Sequence, residues 1–101
     1  MRVVYAEHAV HDIDEIYGTI AQHSIAAAQR VEDFIRATCN GLADFPFASA
    51  ATDEPNVRRV PLVRYPYTIF FRIDQMRDLV EIARVIHSAR VKTLRSLPDD
   101  D

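Results

Sequence analysis

Three stretches of the second half decide the reading: Val57-Arg58-Arg59-Val60-Pro61-Leu62, Tyr67-Thr68-Ile69-Phe70-Phe71-Arg72-Ile73-Asp74 and Val80-Glu81-Ile82-Ala83-Arg84-Val85-Ile86-His87-Ser88-Ala89-Arg90. Each is dense in β-branched and aromatic residues, the types that fit a pleated and partly buried surface. The first contains Pro61, which cannot donate to a ladder and so marks an edge or an ending strand. The other two are nearly continuous in apolar residues, which predicts central strands covered on at least one face. Asp74-Gln75-Met76-Arg77-Asp78 between them reads as a hairpin loop. The period of two places Tyr67, Ile69, Phe71 and Ile73 on one face, with Thr68, Phe70 and Arg72 on the other. The same rule puts Val80, Ile82, Arg84 and Ile86 opposite Leu79, Glu81, Ala83, Val85 and His87.

Working back towards the N-terminus, residues 45–56 lack a period and carry prolines near both ends, so they read as a loop. Before them, Ala27, Ala28, Val31, Phe34, Ile35, Thr38 and Leu42 form the inward stripe of a helix. Ser24 can cap its start and Pro46 stops it, because proline has no N–H to continue the helical ladder. Ile13, Ile16, Tyr17 and Ile20 form the stripe of an earlier helix that ends near His23, with Asp12, Asp14 and Glu15 expected to face away. The short link makes the two helices an antiparallel hairpin. Arg2 to Ala6 is a short first strand, and Ser88 to Leu97 a short final helix. The expected fold is α+β, in the order β-α-α-β-β-β: a helical hairpin packed on a small, mainly antiparallel sheet. One domain over residues 1–98, followed by the acidic tail 99–101, accounts for the chain of 101 residues.

The net charge of −3 hides a split. Residues 1–55 carry three basic side chains against nine acidic ones, residues 56–98 carry nine against three, and the tail is Asp99-Asp100-Asp101. Such a split indicates a basic surface suited to a nucleic acid or an acidic protein, or else a solvated, mixed-sign sheet face. No apolar run approaches the roughly 18 residues that cross a bilayer. Glu7 and His8 end the N-terminal apolar stretch too early for a signal peptide. The lone Cys39 excludes an intrachain disulfide and agrees with a reducing compartment, so a cytoplasmic protein is expected. Cys39 itself reads as a small core residue.

Few residues have the makings of a chemical site. His8 with His11, or with Asp12, has helical metal-ligand spacing, but no second cluster completes the three or four ligands a zinc site needs. Only Gly18 and Gly41 occur, so no glycine-rich phosphate loop exists. No cofactor and no metal are expected. What remains is a basic cluster: Arg58, Arg59, Arg64, Arg72, Arg84 and Arg90, with His87 beside them. An arginine in an apolar strand is costly unless paired. Arg84 therefore either meets a carboxylate (Glu81, Asp74 or one from the helices) or opens onto a groove.

These stretches, in this order and spacing, resemble the RelE/ParE toxin superfamily. The Arg84-Val85-Ile86-His87-Ser88-Ala89-Arg90 run is closest to the ParE branch, whose last strand commonly ends in Arg-Val-x-His-x-x-Arg. The first half agrees: Ala9, Asp12, Ile16 and Tyr17 match positions of the family's first helix. Ala27 and Ala28 match the opening of its second, and Leu42-Ala43-Asp44-Phe45-Pro46 resembles its Leu-x-x-x-Pro ending. The resemblance spans about 90 residues and implies the toxin of a type II toxin–antitoxin module of the plasmid-stabilising kind. It implies as partner a cognate antitoxin, ParD-like and of the ribbon-helix-helix type, whose flexible segment wraps the toxin in a hetero-oligomer. ParE-like members bind and block DNA gyrase without catalytic residues. RelE-like members cut mRNA on the ribosome, and for that chemistry the resemblance nominates Arg59, Arg84 and His87. Thr68 stands where that branch has a catalytic arginine, Pro61 where it has a lysine, and Arg90 near its terminal tyrosine. The reading therefore favours a binding protein over an enzyme, with Arg58, Arg59, Arg64, Arg72, Arg84 and Arg90 as the partner-binding set. A third reading is an inactive homologue that only binds an antitoxin.

Overall fold

The computed structural model describes residues 1–93. The chain runs β1 (Arg2–Tyr5), α1 (Glu7–Ala21), α2 (Ile25–Gly41), a 3-10 turn (Pro46–Ala48), β2 (Ala50–Ala51), β3 (Val57–Pro61), β4 (Tyr67–Asp74), β5 (Leu79–His87) and a second 3-10 turn (Ser88–Thr93). The α+β architecture is the expected one, a helical hairpin on one sheet. The sheet order is β1-β5-β4-β3-β2, parallel only between β1 and β5. That order makes β4 and β5 central, as their near-continuous apolarity requires.

Local chemistry sets the boundaries. Ala6 closes β1 by donating its N–H to the Ile82 carbonyl at 2.9 Å, and α1 starts on the next residue. Ser24 caps α2 as expected, its hydroxyl accepting from the Ala27 N–H at 3.1 Å. Asn56 and Asp78 take up positive φ in the turns before β3 and β5, a conformation their short polar side chains tolerate better than most. Residues 45–56 are not wholly irregular. Pro46 starts a 3-10 turn and Ala50–Ala51 add a two-residue edge strand to β3. Two residues are too few for a period to show. The final helix is the 3-10 turn Ser88–Thr93; the remainder of the expected helix and the acidic tail lie outside the described residues.

Between helices and sheet, Ile13, Val31, Ile35 and Cys39 pack against Ile69, Phe71, Ile73, Val80, Ile82 and Val85. Burial pushes the Cys39 thiol up to about 12. The opposite face has a smaller cluster, Val57, Phe70, Ala83 and Ile86, with Val91 against it. The strict alternation expected for β5 fails. The register slips between Phe70 and Phe71, which pair with Arg84 and Ile82, so Ala83 is an extra residue. This β-bulge turns Val85 to the helix face with Val80 and Ile82, while Ala83 and Ile86 go to the other.

Candidate functional site

The bulge sits where β1 gives out. Tyr5 pairs with Ile82 as the last residue of β1, yet β5 continues to His87. The edge that β1 vacates is met by α1, whose second turn brings Asp12 over it. Arg84 donates from Nε to Asp12 Oδ2 at 2.7 Å and from a terminal nitrogen to Oδ1 at 2.9 Å. Asp12 Oδ2 also accepts the Val85 N–H at 2.9 Å. One carboxylate thus engages a guanidinium side-on and occupies the backbone donor next to the bulge. The pair is largely buried, with side-chain exposures of 23% for Arg84 and 11% for Asp12. Of the fates open to Arg84, pairing with a helix carboxylate is the one observed.

Asp12 corrects an expectation, since it does not face away from the core. Its signal was in the sequence: Asp12 is one helical turn from Ala9 and from Ile16, so it shares their row. Polarity alone argued for solvent, and the compensating arginine lay 72 residues away.

His87 forms the other end of the site. Its ring meets Tyr67 edge to face, with centroids 5.6 Å apart, because the two residues are cross-strand partners. His87 Nδ1 accepts the Ala89 N–H at 3.1 Å. In the neutral ring this bond puts the proton on Nε2. Arg90 is exposed just beyond, and Arg84, His87 and Arg90 line a groove of about 240 Å³ against Asp12, Glu15 and Ile16 of α1.

The rest of the basic set divides. Arg58 is turned onto the chain before it: Nε donates to Ser49 Oγ at 3.2 Å, and a terminal nitrogen reaches the Phe47 carbonyl at 3.0 Å and the Ser49 carbonyl. Arg58 also lies over the Phe47 ring, 5.7 Å from its centroid. Arg72 bonds Glu81 across the strand pair at 3.4 Å. Arg58, Arg72 and Arg84 thus bond groups of their own chain, and the side chains of Arg59, Arg64 and Arg90 are exposed.

Arg59, Phe70 and Arg84 form one row across β3, β4 and β5. Two strand spacings separate the first and last backbones by roughly 10 Å. The next row is Pro61, Thr68 and Ile86. Thr68 is buried and its hydroxyl lies 2.9 Å from that of Ser88. On the face of Arg59 this row thus carries an imino acid, a buried hydroxyl and an aliphatic chain, whereas His87 pairs with Tyr67 on the helix face. Among the described residues no three His, Cys, Asp or Glu side chains are grouped so as to hold a metal ion, and no helix is long and apolar enough to cross a membrane.

The model of the ParE toxin of the type II toxin–antitoxin system parDE matches residues 3–92. The chain belongs to the ParE toxin family. Its fold is shared with a chain of the chromosomal ParDE toxin–antitoxin system from P. aeruginosa, at TM-score 0.75 and 22% identity, covering 86% of this chain and 95% of that one. It is also shared with the isolated E. coli RelE toxin, at TM-score 0.66 and 13% identity, covering 91% and 88%. No curated protein sequence matches. In this ParE-family chain Arg84 is paired with Asp12, and Arg84, His87 and Arg90 all line the groove.

Proposed function

We propose that this ParE-family toxin acts in the cytoplasm by binding, with DNA gyrase as its target, and that a ParD-like antitoxin neutralises it. The observation that supports binding over cleavage is the row Pro61–Thr68–Ile86. Cutting RNA needs preorganised cations where negative charge develops in the transition state. In that row stand a proline, a buried hydroxyl shared with Ser88, and an isoleucine, while Arg84 is committed to Asp12. A binding surface needs no such convergence. Exposed Arg59, Arg64 and Arg90, spread around the basic half, suit an acidic, partly apolar antitoxin segment that folds as it binds.

The deciding experiment is a supercoiling assay with purified toxin and gyrase. Supercoiling is expected to stop as toxin is added and to resume with antitoxin. Continued supercoiling at saturating toxin refutes the target. A ribosome-dependent mRNA cleavage is the competing reading, and the exposed His87, lining one groove with Arg90, is what favours it. It requires codon-linked cuts that vanish in the Arg84→Ala, His87→Ala double variant. An inactive homologue would leave growth normal when expressed without antitoxin, and an adjacent reading frame for a ribbon-helix-helix protein would identify the partner.

A further inference from the structure

The turn between α2 and β2 shows apolar surface that the fold does not use. Phe45 and Phe47 flank buried Pro46 there and are 72% and 54% exposed. Among the described residues, neither ring belongs to the helix-side core or to the cluster around Phe70. A single exposed apolar side chain is ordinary. Two phenylalanines on one ordered turn need a reason. The turn is held by polar bonds: Arg58 reaches Ser49 Oγ and the Phe47 and Ser49 carbonyls, and Ser49 Oγ donates to the Pro46 carbonyl at 3.1 Å. Further on, the Thr52 hydroxyl donates to the Val57 carbonyl at 3.0 Å and accepts the Glu54 N–H at 3.2 Å. A hollow of about 270 Å³, lined by Glu54, Val57 and Ile73 among others, opens beside Phe47. The border of this corner is acidic. From Asp44 to Asn56 the chain carries Asp44, Asp53 and Glu54 and no basic side chain. Arg58 is bonded into the corner, and Arg59, next in β3, lies on the other face of the sheet with Phe70. β2 ends the sheet on the side away from β1, so the groove of His87 and Arg90 along β5 lies three strand spacings off, roughly 14 Å.

We propose that this corner is the surface that engages the toxin's target: Phe45 and Phe47 enter an apolar cleft with a basic rim on gyrase. Charge selects the occupant. Asp44, Asp53 and Glu54 repel an acidic antitoxin segment, which the basic half attracts. An enzyme that handles DNA exposes cations to hold phosphate, and an acidic border complements them. The aromatic rings supply the affinity, since each carries a large apolar area and the turn beneath them is already ordered. The proposal rests on the gyrase reading above and names the toxin residues that carry it.

The test sets two partners against one corner. The probes are purified gyrase and, separately, the full-length protein encoded beside this gene, each with the full-length toxin. The Phe45→Ser, Phe47→Ser double variant is expected to need at least tenfold more protein to stop supercoiling, while its affinity for the antitoxin stays within threefold of wild type. Asp44→Lys with Asp53→Lys should weaken inhibition at least threefold, an effect that shrinks as salt is raised. In the wild-type toxin, hydroxyl-radical oxidation of the two rings should slow at least fivefold with gyrase bound and less than twofold with antitoxin bound. That footprint decides the matter if the double variant loses both partners through poor folding. Full inhibition by the double variant, or unchanged oxidation with gyrase, overturns the corner and leaves gyrase as the target. No inhibition by wild type overturns both. Protection of the rings by the antitoxin instead, or by rising toxin concentration alone, assigns the corner to that partner or to a second copy, and either result overturns the proposal.

Discussion

Phe70 and Phe71 are neighbours in β4 that look in opposite directions. Phe71 is fully buried beneath the helices, among Ile13, Ile35, Ile69 and Ile82. Phe70, 6% exposed, lies on the other face with Val57, Ala83 and Ile86. One face is a core closed by the helical hairpin; the other is a thin apolar patch between Arg59, Arg84 and the last 3-10 turn. The difference shows how unequally one small sheet is covered on its two faces. Stability is concentrated on the helix side, and the opposite side buries only the small cluster around Phe70. Where the two regions meet, Asp12 ties the helical layer to the edge of β5.

That comparison can be broken by experiment. Phe71→Ala should cost about 4 kcal/mol by denaturant titration, because the helices cannot collapse into the cavity. Phe70→Ala should cost about 2 kcal/mol, its thinner cover relaxing more readily. Equal losses would mean that both faces are closed cores. Between them falls Asp12→Ala, at about 3 kcal/mol, since it strands a largely buried guanidinium and the Val85 N–H together. The Arg72–Glu81 pair, 27% exposed on both sides and 3.4 Å apart, is the looser comparison, and Arg72→Ala should cost under about 1 kcal/mol. A double-mutant cycle for each pair would measure the contrast directly.

Alkaline pH probes the helix side through its buried thiol. The Cys39 thiol is raised from its ordinary 9.0 to about 12, first by burial. Above pH 9 the unfolded chain loses this proton while the folded one keeps it, so stability falls as pH rises from 9 towards 12. Cys39→Ala should reduce that loss in denaturant midpoints, the share of Tyr5, raised from 10.0 to about 12 by burial, remaining, while lowering stability at neutral pH. The smallest effect belongs to Arg59→Ala on the open side: stability within about 0.5 kcal/mol, but slower and less salt-sensitive association with an acidic partner, measured by stopped flow.

Much of this was legible in the residues themselves. The stripes of α1 and α2, the Ser24 cap, the ending strand at Pro61 and the central places of β4 and β5 follow from period and local chemistry. The strand β2 was not, because Ala50–Ala51 is ordered by pairing with Arg58 and Arg59 and by the arm of Arg58 across Ser49 and Phe47. The arginine cluster was legible as a set and illegible as a surface. Whether an arginine binds its own chain or a partner depends on which carboxylate or carbonyl the fold brings near it.

The sequence by itself determined the α+β class and the order of the elements apart from β2, since these rest on periodicities that residues carry locally, and its motifs in their order and spacing carried the resemblance to the family. Only the tertiary structure decided the fate of Arg84 and the facing of Val85 and Ile86. A bulge arises from how β1, β5 and α1 meet, and an acid can sit in a core only if folding delivers its cation from the far end of the chain.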